Sequence, residues 1–198
     1  LDKQRLESGL QSLMIYGFLK PLSVSETALL GDLFLSCDIP LEAARYYEDW
    51  IKKKQEGEST RTAENTEGIR KKILRIANAY RQGGQTDKAL SWADRGIELK
   101  RGPELLRLKA DLLYQEKRYR DAATAYGQLA EFKSHRGLAC LMMGYAAWSR
   151  GDMKTAAEAF ERAVTFPRQK PAASSALAEV QKASARHAGL ATVQSSAY

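Results

Sequence analysis

Three stretches of this 198-residue chain align with one another without a gap. They run ILRIANAYRQGGQTDKALSWADRGI from Ile73 to Ile97, LRLKADLLYQEKRYRDAATAYGQLA from Leu106 to Ala130, and CLMMGYAAWSRGDMKTAAEAFERAV from Cys140 to Val164. Ala89, Ala122 and Ala156 hold the same place in each, at steps of 33 and 34 residues. A period of that length is one pair of antiparallel helices, and its repetition predicts stacked helical hairpins. The chain is therefore expected to be all-α. Such a stack offers an extended surface and no enclosed cleft, so the pattern points to binding before catalysis.

Composition agrees with a folded chain: 44% of residues are hydrophobic. No apolar run is long enough to span a bilayer; the most apolar stretch is Leu13–Leu19. The chain begins with Leu1, which reads as a piece of something longer or processed, so a missing leader or anchor carries no meaning. Net charge is +7, from 31 basic and 24 acidic residues. Basicity admits nucleic acid, an anionic membrane surface or an acidic partner. The dense basic runs are Lys52–Lys54 and Arg70–Arg75, with Glu56, Glu58, Glu64 and Glu67 between them. No aromatic residue is interleaved there, so bases would find no stacking platform. The two cysteines, Cys37 and Cys140, fall in the first and last full repeats and are expected to be free thiols, with Cys140 buried.

Punctuation along the chain places the helices. Leu6, Leu10, Leu13 and Met14 follow helical spacing up to Pro21. Ser23 and Glu26 form a potential capping box for the next helix, which runs to about Cys37. The turn Asp38-Ile39-Pro40 leads to a helix from about Leu41 to Gln55. Residues 56–68 are polar and lack an apolar stripe, so they read either as a loop or as extensions of both flanking helices. Further helices are predicted over 69–82, 86–99, 104–115, 120–131, 137–149, 153–164 and 172–187, with 188–198 as a disordered tail. Residues 1–187 thus read as one repeat domain.

These residues resemble the tetratricopeptide repeat family, whose unit favours Leu at position 7, a small residue at 8, Tyr at 11, Ala at 20, an aromatic at 24, Ala at 27 and Pro at 32. With starts at Val24, Arg70, Pro103 and Gly137, position 8 is Gly31, Ala77, Ala110 and Gly144, and position 20 is Ala43, Ala89, Ala122 and Ala156. Position 24 is Tyr47, Tyr126 and Phe160 in three repeats and Ala93 in the other. Gly9, Leu13, Tyr16 and Pro21 fall on positions 20, 24, 27 and 32 of an incomplete repeat before these. The resemblance implies a right-handed solenoid of about four full repeats, with an N-terminal half repeat and a C-terminal capping helix. Positions 8 and 20 are expected to touch across each hairpin. A narrower resemblance, carried by the AFERA run and the Pro-Arg-x-Lys segment after it, is to bacterial periplasmic repeat proteins associated with TonB-system clusters. It implies a periplasmic adaptor in an envelope assembly; without it the cytoplasm is the default.

The family's concave face is lined by first-helix positions 2, 5, 9, 12 and 13. Two groups there suggest a partner-binding groove. Asn78, Arg81, Arg107, Tyr114 and Gln115 could hold a peptide backbone or carboxylate, with Arg as a fork donor. Leu141, Tyr145 and Trp148 continue an apolar stripe from Leu138, which would serve equally as core against the capping helix. Leu74, Arg107 and Asp111 depart from the carboxylate clamp of the family's chaperone-binding members. A protein-binding scaffold with no catalytic, metal or cofactor site is the expectation. His135 and His187 lack catalytic partners, two His and two Cys lack zinc spacing, and Gly83-Gly84 lies in a helix hairpin. The runner-up is a basic surface for nucleic acid or anionic membrane; a type III secretion chaperone is a variant of the scaffold reading. A terminal repeat could also pair two copies.

Overall fold

The structure is a computed structural model that describes residues 3–57 and 63–195, with side chains described except at 57, 63–64 and 187–195. Among the described residues there are ten helices and no strand. They are α1 (Lys3–Leu19), α2 (Val24–Ser36), α3 (Pro40–Gly57), α4 (Ala63–Gln82), α5 (Thr86–Leu99), α6 (Pro103–Gln115), α7 (Tyr119–Leu129), α8 (Arg136–Ser149), α9 (Met153–Val164) and α10 (Lys170–Ser195). The chain forms two compact units, Leu1–Leu108 and Lys109–Tyr198. The first contains α1 to α5 and the start of α6; the second contains the rest.

Four hairpins, α2–α3, α4–α5, α6–α7 and α8–α9, turn in one way. Asp38, Gly84, Lys117 and Gly151 share register position 15, and all four have a left-handed backbone, with φ of 60°, 72°, 59° and 77°. The amide of the next residue donates back to the carbonyl five residues earlier: Ile39 to Phe34, Gln85 to Tyr80, Arg118 to Leu113 and Asp152 to Ala147, at 2.9–3.0 Å. This bond satisfies a carbonyl that the end of a helix otherwise leaves open. Only two of the four positions are glycine. Lys117→Gly is expected to stabilise the chain by roughly 0.5–1 kcal/mol, because glycine adopts this φ without the Cβ clash that Lys117 bears. Urea denaturation of the two proteins measures it, and an unchanged midpoint would contradict the assignment.

Helix starts follow their sequence signals where those were strong. The Ser23 amide donates to Glu26 Oε2 at 2.8 Å and the Glu26 amide donates to Ser23 Oγ at 3.3 Å, a reciprocal capping box. The Ser23 amide, and with it the Ser23 hydroxyl, which donates to Glu26 Oε2 at 2.7 Å, hold the Glu26 carboxyl below its ordinary value. Elsewhere the helices overrun the expected limits. Residues 63–68 belong to α4, while 58–62 lie outside the described residues. Helix α10 continues through Ser195, where a disordered tail was expected to begin at 188; the alanines and the lack of proline there favour helix. Residues 196–198 lie outside the described residues.

The alanines at position 20, Ala43, Ala89, Ala122 and Ala156, are all 0% exposed. Where position 8 is glycine, the ring at position 24 lies against it. A Cβ on Gly31 would lie 2.5 Å from the Tyr47 ring, and one on Gly144 would lie 2.5 Å from the Phe160 ring. In these two hairpins the nearest neighbour of position 8 is thus the aromatic at position 24. The glycine makes room for a ring that is itself wholly buried.

Candidate functional site

Most of the expected groove residues lie on first helices, and they fall into both units. In the first unit, Arg81 near the end of α4 and Arg107 on α6 are exposed. Asn78 is half-buried and its amide donates to the Leu74 carbonyl at 2.9 Å, so one of its donors serves its own helix. In the second unit, Tyr114 stands edge-on to Tyr119 with ring centres 5.3 Å apart, and Gln115 is exposed. Leu141, Tyr145 and Trp148 are half-buried against a cluster of Ala147, Ala156 and Phe160 with Ala176 and Val180 of α10. Tyr145 and Trp148 both meet the Phe160 ring edge-on, at 5.1 and 6.3 Å. Part of this apolar stripe is therefore engaged with α9 and with the cluster that α10 completes, and the three residues remain only half-buried.

Position 9, one of those expected to line the groove, is largely committed to the fold. Position 9 is Asp32, Asn78, Asp111 and Tyr145, each 15 residues before position 24. Asp32 accepts from the Tyr47 hydroxyl at 2.5 Å and Asp111 accepts from the Tyr126 hydroxyl at 2.7 Å. Tyr145 pairs with Phe160 through ring contact instead. Asn78, opposite Ala93, turns to its own backbone. The pair changes character as a unit, because a hydroxyl buried at position 24 must have an acceptor and a phenyl ring must not. An Asp followed 15 residues later by Tyr, occurring twice, was the signal available in the sequence.

Asp32 also draws two cations from α4. Arg75 donates to its carboxylate, and Lys72 Nζ lies 3.7 Å from it. The Lys72 side chain is only 13% exposed, and its ammonium sits 4.4 Å from the centre of the Tyr47 ring and 5.7 Å from that of Trp50. Burial pushes the Asp32 carboxyl up, but Tyr47, Lys72 and Arg75 together bring it below its ordinary value. Burial lowers the Lys72 ammonium more than Asp32 raises it. Desolvation and the Asp32 bond push the Tyr47 phenol well up.

Two further networks bind the first unit. One oxygen of Glu48 accepts from the Tyr80 hydroxyl at 2.6 Å and from the Trp92 indole at 2.9 Å. Burial, then Glu48, raises the Tyr80 phenol to about 12. Arg70 bridges Glu67 at 2.9 Å and Glu104 at 3.1 Å, and Lys100 reaches Glu67 at 3.1 Å. Hydrogen bonds from Arg70 and Lys100 lower the Glu67 carboxyl to about 2. In the basic runs, Lys53 donates to the Leu22 carbonyl at 3.0 Å and to Thr27 Oγ1 at 2.8 Å, and pairs with Asp49 at 3.0 Å. Arg70, Lys72, Arg75 and Lys53 are thus engaged within the fold. Cys37 and Cys140 are free thiols, and Cys140 is buried. Among the described residues no group of three His, Cys, Asp or Glu side chains could hold a metal, and no helix is long and apolar enough to cross a membrane.

Residues 138–170 match the model of the tetratricopeptide repeat. No curated protein matches the chain significantly. Solved structures with the same fold include a MamA protein, 15% identical, covering 85% of this chain and 86% of that one at a TM-score of 0.66. YrrB, described as a TPR protein with an unusual peptide-binding site, is 16% identical over 87% of this chain and 84% of its own, at 0.65. A tetratricopeptide repeat protein from Parabacteroides merdae is 18% identical over 90% and 67%, at 0.64.

Proposed function

Given a chain that carries a tetratricopeptide repeat and has that repeat's fold, we propose that it is a protein-interaction scaffold which takes a peptide or partner helix on its first-helix faces. The observation that carries this reading is the contrast between the two helices of each hairpin. Second-helix positions 20 and 24 are buried in all four hairpins, while the first helices keep Arg81, Arg107 and Gln115 at the surface. Arginine and glutamine there offer fixed donors to backbone carbonyls or carboxylates. YrrB, with the same fold, is described as having a peptide-binding site, which supports the class of partner without naming it. The narrower reading, an adaptor in a bacterial envelope assembly, rests on the resemblance of the last full repeat to periplasmic proteins.

The runner-up, nucleic acid held by the basic runs, fits less well, because Lys53, Arg70, Lys72 and Arg75 are already paired inside the fold. Selection from a random peptide library separates the two. Peptides that bind and survive raised salt are expected. Arg81→Ala with Arg107→Ala should weaken a peptide held by the first unit, and Tyr114→Ala one held by the second, each by about tenfold or more. Binding that collapses steeply with salt, is shared by single-stranded DNA and ignores these changes would overturn the reading.

A further inference from the structure

Helix α1 carries Ile15 and Phe18 at register positions 26 and 29, which are polar in the four full hairpins, whereas Leu19 falls on position 30, which also holds Leu99, Phe132 and Phe166. Ile15, Phe18 and Leu19 are 61%, 86% and 80% exposed. Phe18 falls on register position 29. The four full hairpins have Lys52, Glu98, Glu131 and Thr165 there, all exposed. A first helix completing the hairpin of α1 would lie against positions 20, 24 and 27, which are Gly9, Leu13 and Tyr16. It would leave Ile15 and Phe18 facing outward. The other side of α1 is occupied, since it rests on α2 with Leu10 buried. The C-terminal half of the helix is thus apolar on two faces, and the second is left exposed by the described residues.

The charge around this face selects its occupant. Lys3 and Arg5 at one end of α1 and Lys20 just past the other are exposed; Glu7 is the one acid within α1, and Glu26 lies close enough to Lys20 to feel its charge. Beyond Lys20, Lys53 is bonded to the Leu22 carbonyl, which ties the start of the Lys52–Lys54 run to the same end of α1. A second copy fits badly. Antiparallel pairing would set Lys3 and Arg5 against the other Lys20, and parallel pairing would set each cation on its twin. Nucleic acid would use the lysines but not Ile15 or Leu19. An exposed Phe-Leu-Ile surface rimmed by lysine and arginine matches the apolar and anionic layers of a lipid surface. We propose that α1 is a peripheral membrane-docking helix, which seats Ile15, Phe18 and Leu19 among the lipid headgroups and acyl chains of an anionic bilayer while Lys20 and Lys52 meet the phosphates.

Co-sedimentation of the full chain with vesicles tests this. Vesicles of phosphatidylcholine with about a third phosphatidylserine are expected to retain the protein, and vesicles of phosphatidylcholine alone to retain far less. Phe18→Ser with Leu19→Ser should lower retention at least about tenfold, with the helical circular dichroism unchanged. Lys20→Glu with Lys52→Glu, which leaves the apolar face intact, should lower it on anionic vesicles only. No retention of the wild-type chain by anionic vesicles would overturn the proposal, as would retention indifferent to Phe18 and Leu19. So would a dimer in sedimentation equilibrium that the Phe18/Leu19 change dissolves, or oligonucleotide binding that the same change abolishes.

Discussion

Phe160→Ala is expected to destabilise the second unit by about 3–5 kcal/mol, the largest single effect in the molecule. The ring is 0% exposed and lies edge-on to both Tyr145 and Trp148. It also fills the space that Gly144 leaves open on α8. Its loss would leave a cavity between α8, α9 and α10 that alanines cannot collapse into. The reverse change should hurt through overpacking. Gly144→Val sets branched carbons against the ring and should cost on the order of 1–3 kcal/mol. Ala156→Leu, at a fully buried position, should cost a similar amount. Urea denaturation followed by tryptophan fluorescence at Trp148 reports all three. A Phe160→Ala protein within about 1 kcal/mol of the parent would mean that the hairpin packing is wrongly placed.

The second large effect is expected at Asp32. Asp32→Ala removes the acceptor of the buried Tyr47 hydroxyl and the counter-charge of Arg75 and of the largely buried Lys72. The cost should be about 2–3 kcal/mol, mostly from the groups left behind. Asp32→Leu with Tyr47→Phe should recover part of it, which a double-mutant cycle measures. Additive losses would show that the two groups do not depend on one another. The same carboxylate sets an acid limb. Asp32 is held below its ordinary 3.8, and Glu67 falls from 4.5 to about 2. The folded state therefore binds fewer protons than the unfolded chain. Its stability is present above these ordinary values and declines as pH falls through about 4 towards the folded values. Asp32→Asn should flatten that decline in acid-dependent denaturation; an unchanged slope would remove Asp32 from the account.

The repeat was readable because it is written in what must be small. Alanine at position 20 is imposed by helix approach, and a turn needs a left-handed residue, so Ala89, Ala122, Ala156, Gly84 and Gly151 betray the hairpins directly. The Ser23/Glu26 box was equally plain, since both partners lie within one turn. Other features depend on contacts between helices. Asp32 and Asp111 looked like groove-lining carboxylates because the register puts them near the concave side; nothing in their own helix shows that a tyrosine hydroxyl reaches them. Residues 63–68 carry no apolar stripe, and a polar helix end and a loop look alike in composition. Leu141, Tyr145 and Trp148 illustrate the same ambiguity in the candidate site. An apolar stripe marks a face to be covered but not whether its own fold or a partner covers it, and the cluster these three pack against draws on both α9 and α10. The exposure of Phe18 was out of reach, because an apolar residue at helical spacing reads as core wherever it stands.

The coupling of position 9 to position 24 bears on how such chains can be recombined. Each matched pair lies inside a single hairpin, so a crossover in the link between hairpins moves Asp with its Tyr, or Tyr with its Phe, as one cassette. A crossover at the tip of a hairpin separates them. Grafting α2 onto α9 would aim the Asp32 carboxylate at the Phe160 ring, which has no hydroxyl to offer. Gene shuffling and designed chimeras of this chain should therefore tolerate seams near Arg101 or Ser134 and fail at seams near Gly84 or Gly151 when the exchanged helices come from hairpins of different pair type.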